Sequence, residues 1–432
     1  MTDPNSDLMV TKPPPPPWFR WTVLVVISLA MFGNYYVYDA ISPIADLLKS
    51  QLNFSDSNIG WLNAIYSVPN VFMVFVGGII IDRIGVKKGT MLFGVLCLLG
   101  AAITAASGVL TTMAIGRLVF GLGAESLIVA VTCAIAKWFK GKELSFAFGV
   151  NLTLARLGSF AALNSPTWAR PAYEHWQWPL LISVGFGVFC VVGALLYWAM
   201  ENSANRRYQI GMAGETDKMV FSDLFRFNKS FWLVVLMCVT FYSAIFPFQT
   251  FAIKFFMEAH GVSREYGGFL SSLLTLFAMI CTPLFGLLVD RVGRRSQFMM
   301  WGSLLLVPVY LMMAYTSIPL IVPMAMMGIA FSLIPAVMWP SVAYIVEEKK
   351  IGTAYGLMTM IQNIGMAGLN FLIGWANDYS GASAANPGGY ALGMWMFTAL
   401  GVSAVFFAWL LRRHETGPHA HGLETITVKS SE

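Results

Sequence analysis

Charge is what this chain has least of: only 11% of its 432 residues are Asp, Glu, Lys or Arg, against 57% hydrophobic, too little polar surface for a soluble protein of this length. Cysteine is scarce as well. The five present, Cys97, Cys133, Cys190, Cys238 and Cys281, lie without metal-ligand spacing, so no disulfide framework is expected and each reads as a small buried hydrophobe. The five histidines form no metal-spaced cluster; His414, His419 and His421 fall in a C-terminal stretch that reads as flexible, where solvation is the expectation. No Gly-Lys-Ser/Thr phosphate loop occurs. These absences argue against an enzyme and call for no cofactor.

What is present is long apolar sequence. A membrane span needs about 20 apolar residues, and twelve runs of that order lie near 20–46, 58–82, 89–107, 111–136, 144–168, 178–200, 231–257, 265–290, 296–315, 319–346, 352–378 and 388–411. The fold class is therefore an all-α membrane protein of twelve transmembrane helices. A polar interval divides six spans from six, giving an N-terminal tail 1–19, a first bundle 20–200, a linker 201–230, a second bundle 231–411 and a C-terminal tail 412–432.

Lys and Arg collect in alternate short loops: Arg83, Lys87 and Lys88; Lys137, Lys140 and Lys142; Arg291, Arg294 and Arg295; Lys349 and Lys350. By the positive-inside rule both termini face the cytosol, and the net charge of +5 reflects this asymmetry without implying nucleic acid. Pro13 to Pro17 bar a helix start in the first twenty residues, which read as an extended tether rather than a signal peptide. In the linker, FSDLFRF from Phe221 has the pattern of a short amphipathic helix lying on the membrane surface.

One charged signature occurs twice. GGIIIDRIGVKK from Gly77 recurs as GLLVDRVGRR from Gly286, each after an apolar run. Gly78 belongs to the first copy, and Asp82, Arg83, Asp290 and Arg291 sit where a helix leaves the membrane, a position suited to bracing neighbouring helix ends. The repeat resembles the inter-helix loop motif of the major facilitator superfamily, which implies two pseudo-symmetric halves and alternating access along their interface.

A charge at a span centre costs about 2.5–3.5 kcal/mol on insertion scales, so each such residue is a functional candidate. Glu125 in span four and Arg156 in span five lie almost equally far on either side of the turn near Lys140. An antiparallel hairpin would bring both to similar depth, on the order of 16–20 Å from that turn. They form either a self-satisfied ion pair or a site whose Glu takes the cationic end and whose Arg takes the anionic end of a small zwitterion. Tyr66 and Asn70 flank Pro69, and Asn363 follows Gln362; substrate contact and inter-helix hydrogen bonding both account for them. Asp39 reads as an amine contact, a titrating group or a cap on an outer gate. Pro247 is expected to break span seven inside an aromatic run that serves either as an outer gate or as packing, and Trp339 to sit where Pro335 and Pro340 interrupt span ten. Arg117 reads as a helix brace. Lys254 and Glu258, spaced i, i+4, read as a surface pair.

The segments NYYVYDA from Asn34, YSVPNVFMVFVGGIIIDR from Tyr66, GRLVFGLGAES from Gly116, WFKGKELSFAFGVNLTLARLGS from Trp138 and MWPSVAYIVEEKKIGTAYGLMTMIQNIG from Met338 resemble the major facilitator superfamily domain-containing protein 1 group, whose animal members are lysosomal dipeptide uniporters. The resemblance covers spans one to five, eight, ten and eleven. It implies that Glu125 and Arg156 hold the substrate termini, favours Trp339 as a contact, and points to facilitated dipeptide transport. A proton-coupled carrier of peptides or other small zwitterions or anions, and a receptor or scaffold without flux, are the alternatives. The fifth span, NLTLARLGSF, lacks the Gly-Pro signature of antiporters, which disfavours drug–proton antiport. The expected partners are the lipid bilayer and a dipeptide or similar small zwitterion. A monomer is expected, in a bacterial inner membrane with the lysosomal membrane as the alternative; an accessory subunit is left open.

Overall fold

The computed structural model describes residues 13–139, 143–208, 227–347, 350–418 and 420–427. Twelve long helices dominate them, all long and apolar enough to cross a membrane. In the first half these are α1 (Pro17–Asp39), α2 (Asp56–Ile84), α3 (Val86–Ala106), α4 (Leu110–Phe139), α5 (Leu144–Leu163) and α6 (Gln177–Arg207). In the second they are α7 (Lys229–His260), α8 (Arg264–Val292), α9 (Arg295–Tyr315), α10 (Ile321–Ile345), α11 (Ile351–Tyr379) and α12 (Ala391–Glu415).

The halves repeat one packing scheme. In the first, α3 packs on α4 and α6, α2 on α4, and α1 on α5 and α6; adding six to every label gives the main contacts of the second. Even the caps repeat: Ser55 accepts from the Asn58 N–H at the start of α2, and Ser263 from the Tyr266 N–H at the start of α8. Each half buries its own aromatic core, around Phe93 and Phe120 in one and around Phe248, Tyr310 and Phe397 in the other.

Several helices outrun their expected limits. The proline run does not delay α1, because Pro17 is its first residue, where the missing N–H would be unbonded anyway. The first span is not one continuous helix: α1 ends at Asp39, and a turn at Ser42–Ile44 leads into a separate helix, Ala45–Leu52. At the other limit α6 runs on to Arg207. The FSDLFRF segment lies outside the described residues.

The expected breaks at proline do not occur. The α7 helix continues through Pro247, and α10 through both Pro335 and Pro340. In a membrane helix, neighbouring groups can satisfy carbonyls near a proline. Here the Tyr310 hydroxyl donates to the Ala244 carbonyl at 2.6 Å, and the Tyr355 hydroxyl to the Trp339 carbonyl at 3.0 Å.

Two seams join the halves, α2 with α11 and α5 with α8. The first closes along its length: Gly374 abuts the Asp56 backbone, Gly60 abuts Asn370, and Gly356 meets the Phe75 ring. The second is closed only at one end, where Gly268 abuts the Leu163 carbonyl; a Cβ added at Gly149 or Gly286, towards the other end, would meet nothing within 4 Å. The close approach of α5 and α8 at Gly268 is thus not repeated at Gly149 or Gly286, towards the face that carries both chain ends, called here the terminal face; the opposite one is the far face.

Candidate functional site

Between the halves lies a cavity of about 200 Å³, walled by α1, α2, α4 and α5 on one side and by α7, α8 and α11 on the other. Small residues set two of its walls. A side chain at Gly121 would collide with the Tyr66 carbonyl of α2, and one at Gly158 with the Phe32 backbone of α1. These contacts let α4 and α5 pack closely and bring Glu125 and Arg156, each within one turn of its glycine, to the cavity. Asn34 adds a tie, donating to the Ala124 carbonyl at 3.3 Å.

Glu125 and Arg156 face the same cavity and do not satisfy each other. Among the described residues Glu125 makes no ion pair. Arg156 instead lies over two aromatic faces, 5.6 Å from the Tyr35 ring centroid and 5.2 Å from that of Phe331, which belongs to the second half. Of the other sequence candidates, Asp39, Tyr66 and Asn363 also line the cavity. Asp39 stands at its far-face end, where a small satellite pocket shared with Ser42 and Asn63 begins. Trp339 does not reach the wall; it donates to the hydroxyl of Tyr242, which does. Asn70 is fully buried and off the wall.

Arg117 has a different placement. It is 2% exposed, and its guanidinium donates to the Leu62, Val37 and Tyr38 carbonyls and to Asn63 Oδ1 at 2.9 Å. It thus braces α1 against α2. Asn63 carries the chain across the interface, donating to Thr250 Oγ1, which donates to Asn370 Oδ1 at 2.8 Å.

Pro247 is itself buried, and its aromatic run divides. Tyr242 and Phe246 stack in parallel at 5.7 Å and face the cavity, while Phe248 packs on Tyr310 and Phe397 inside the second half. Sequence reasoning passed over Ser159, Tyr242, Gln249 and Thr275 as wall residues. A signal was there for some: Tyr242, Phe246 and Gln249 recur at i, i+4 and i+7, one face of a helix.

In the repeated signature, Asp290 pairs at 3.0 Å with Arg295 rather than with Arg291, which is exposed, as is Arg83. Arg295 also lies 4.6 Å from the Tyr344 ring centroid of α10. In the first copy, the matching cation Lys87 donates to Asn202 of α6 at 2.7 Å; Asp82 is not without an interaction, and Gly78 is buried.

Lys254 and Glu258 are not a surface pair. The Lys254 side chain is 0% exposed and reaches Asp56 of the first half, also 0% exposed, at 2.8 Å, with Glu258 at 3.3 Å and the Tyr390 hydroxyl at 2.9 Å. Around this cluster Asp378, in the last turn of α11, accepts the Asp56 and Ser57 backbone N–H groups, capping α2 from the other half. Arg264 pairs with Asp46, and Arg170 with Glu265 at 3.3 Å. All of these ties lie on the far face.

The chain belongs to the major facilitator superfamily, whose family model matches residues 27–255 and 248–428. It is 33% identical over 377 residues to the lysosomal dipeptide transporter MFSD1 of Danio rerio, spanning 84% of this chain and 81% of that one. The Homo sapiens protein of the same name is 32% identical over 378 residues, with coverages of 84% and 81%. A galacturonate transporter of Dickeya chrysanthemi is 26% identical, over 60% of this chain and 78% of its own. Among solved structures, a bacterial homologue of the human lysosomal transporter Spinster, inward-facing and unoccupied, superposes with a TM-score of 0.74 at 16% identity, covering 92% of this chain and 98% of that one.

Proposed function

We propose that this protein carries dipeptides across the membrane by alternating access, as a facilitative uniporter. The observation that carries this reading is the pair Glu125 and Arg156, opposite in sign, on one cavity wall and not joined. Two such charges in an apolar bundle are costly unless something bridges them. A dipeptide does so without adding net charge: its ammonium binds Glu125 and its carboxylate binds Arg156. The names of the relatives support the same substrate. Tyr66, Asn363 and Asp39 complete the wall around it, and Trp339 acts through Tyr242. Access is from the terminal face, where Gly149 of α5 and Gly286 of α8 have open space beside them. We take that face, and with it both chain ends, as cytosolic, in a bacterial inner membrane; the lysosomal membrane named for the relatives is the alternative, and fractionation of expressing cells separates the two.

The test is uptake of labelled dipeptide by purified protein in liposomes. Uptake that equilibrates regardless of a pH gradient is expected, and its loss in both Glu125→Gln and Arg156→Ala, with folding retained. Normal uptake by both variants would sink the assignment. One observation favours a second reading: Asp39 is a further carboxylate on the wall that the zwitterion's two termini do not need. Accumulation driven by a proton gradient and lost in Asp39→Asn would make the protein a symporter, whereas a complete absence of flux would make it a receptor or scaffold.

A further inference from the structure

Two neighbouring residues on α11, Gln362 and Asn363, face Glu125 and Arg156 from the opposite half. Asn363 is 1% exposed, and its Nδ2 donates to the Thr359 carbonyl of its own helix at 3.0 Å. That bond fixes which way the amide points, because a flipped amide would set two oxygens against each other. The remaining atom, Oδ1, is therefore an acceptor; it is buried beside the cavity and has no partner among the described residues. Gln362 is poised the other way. Its Oε1 accepts from the Cys238 thiol at 3.5 Å, leaving Nε2, a donor, for the cavity. Side by side on one wall the chain thus holds one unpartnered acceptor, buried just behind the surface, and one donor left to the cavity.

We infer that Gln362 and Asn363 read the peptide bond of the substrate, Asn363 Oδ1 accepting its N–H and Gln362 Nε2 donating to its C=O. The inference rests on the dipeptide reading above and sharpens it. Charges on α4 and α5 take the two termini, so what lies between them is presented to α11. In a dipeptide that is an amide, with one donor and one acceptor that match the pair. A free amino acid offers neither. Because the termini are held by the first half and the amide by the second, only a substrate carrying both engages both halves at once. Selection of a peptide over an amino acid then arises from buried polar atoms that only an amide completes, the arrangement that discriminates most sharply against an analogue lacking the group.

Three probes of matched length separate the contacts by competition with labelled dipeptide in liposomes holding the full chain. Glycylglycine has the whole amide, δ-aminolevulinate replaces its N–H by methylene and keeps the C=O, and δ-aminovalerate has neither. Apparent affinity should fall in that order, each step on the order of tenfold. Asn363→Ala should erase the step between glycylglycine and δ-aminolevulinate and spare the next; Gln362→Ala should erase the step between δ-aminolevulinate and δ-aminovalerate. Should Asn363→Ala not fold, Gln362→Ala carries the test alone, through loss of the step between δ-aminolevulinate and δ-aminovalerate. Equal competition by all three probes in the wild type overturns the inference and leaves dipeptide transport standing, as does an unchanged order in the variants. Absence of any wild-type dipeptide flux instead fells the transport reading, and the inference with it.

Discussion

The two faces of this protein use charge for opposite purposes. On the far face, ion pairs tie half to half: Asp56 with Lys254, Asp46 with Arg264, Arg170 with Glu265. On the terminal face they tie helices within one half. Buried Glu201 of α6 gathers Lys137 of α4 at 2.8 Å, Lys87 of α3 at 4.0 Å and the Tyr197 hydroxyl. In the second half, Glu415 of α12 accepts from Ser230 of α7 at 2.5 Å and from the His421 backbone N–H at 2.7 Å. A carrier that rocks one half against the other has to break the first kind of bond in every cycle and the second kind never. Under the proposed alternating access, the far-face ties would be the part that turns over, and the terminal-face ties would make each half a rigid lever.

The largest effect should come from cutting the far-face cluster at its centre. Lys254→Met leaves Asp56 buried with only Lys49, at 3.6 Å. Removing one partner of a buried pair costs about 3–5 kcal/mol, and here that penalty falls on the closed far face alone, since opening hydrates Asp56. A cysteine at Asn63, in a background without the native five, should react much faster with a membrane-impermeant thiol reagent in the variant. Unchanged labelling would mean that the cluster does not hold the halves together. Adding Asp56→Asn should restore most of the closure.

Cutting a terminal-face hub should act differently and less strongly. Glu201→Gln weakens the Lys137 and Lys87 contacts inside the first half, a loss of about 1–3 kcal/mol for buried groups left poorly paired. The melting temperature should drop by a few degrees with far-face labelling unaltered. If labelling rises as well, the division of labour between the faces is wrong.

How much of this could be read from sequence depended on whether a partner lay nearby in the chain. The twelve spans were legible because apolar length is local, and Glu125 and Arg156 because only a short stretch of sequence separates their spans; both line one cavity. Lys254 was misread because Glu258, one helical turn on, supplied a plausible local partner, while the closer one, Asp56, lies 198 residues away. The proline breaks were misjudged because the hydroxyls beside them come from other turns and helices, as Tyr310 does for the Ala244 carbonyl. Nor does anything in Gln362 or Asn363 announce which of its amide atoms is free; Cys238 and Thr359 decide that.

The smallest effect is expected at the C-terminal stretch, which the sequence presented as flexible with solvated histidines. His421 instead sits 2.8 Å from Glu415 Oε1, and Leu423 is fully buried. The segment beyond crosses to the start of α9. There the Arg294 and Arg295 backbone N–H groups donate to the Glu424 and Leu423 carbonyls at 3.1 and 3.0 Å, and the Ser296 N–H donates to the Glu424 carboxylate at 3.0 Å. These are donors a helix start otherwise leaves to water, and a carboxylate suits that end of the helix. Because the strap joins α9, α12 and the N-terminal end of α7, all in the second half, it belongs with the rigid-lever bonds. Glu424→Ala should lower stability by about 0.5–2 kcal/mol, the usual cost of a lost cap, and deletion of residues 420–432 by somewhat more through Leu423. Dipeptide flux per folded molecule should be the same as in the wild type in both. A truncated protein that melts normally but transports at a changed rate would move the strap out of the lever and into the moving part of the machine, and the contrast between the faces would have to be redrawn.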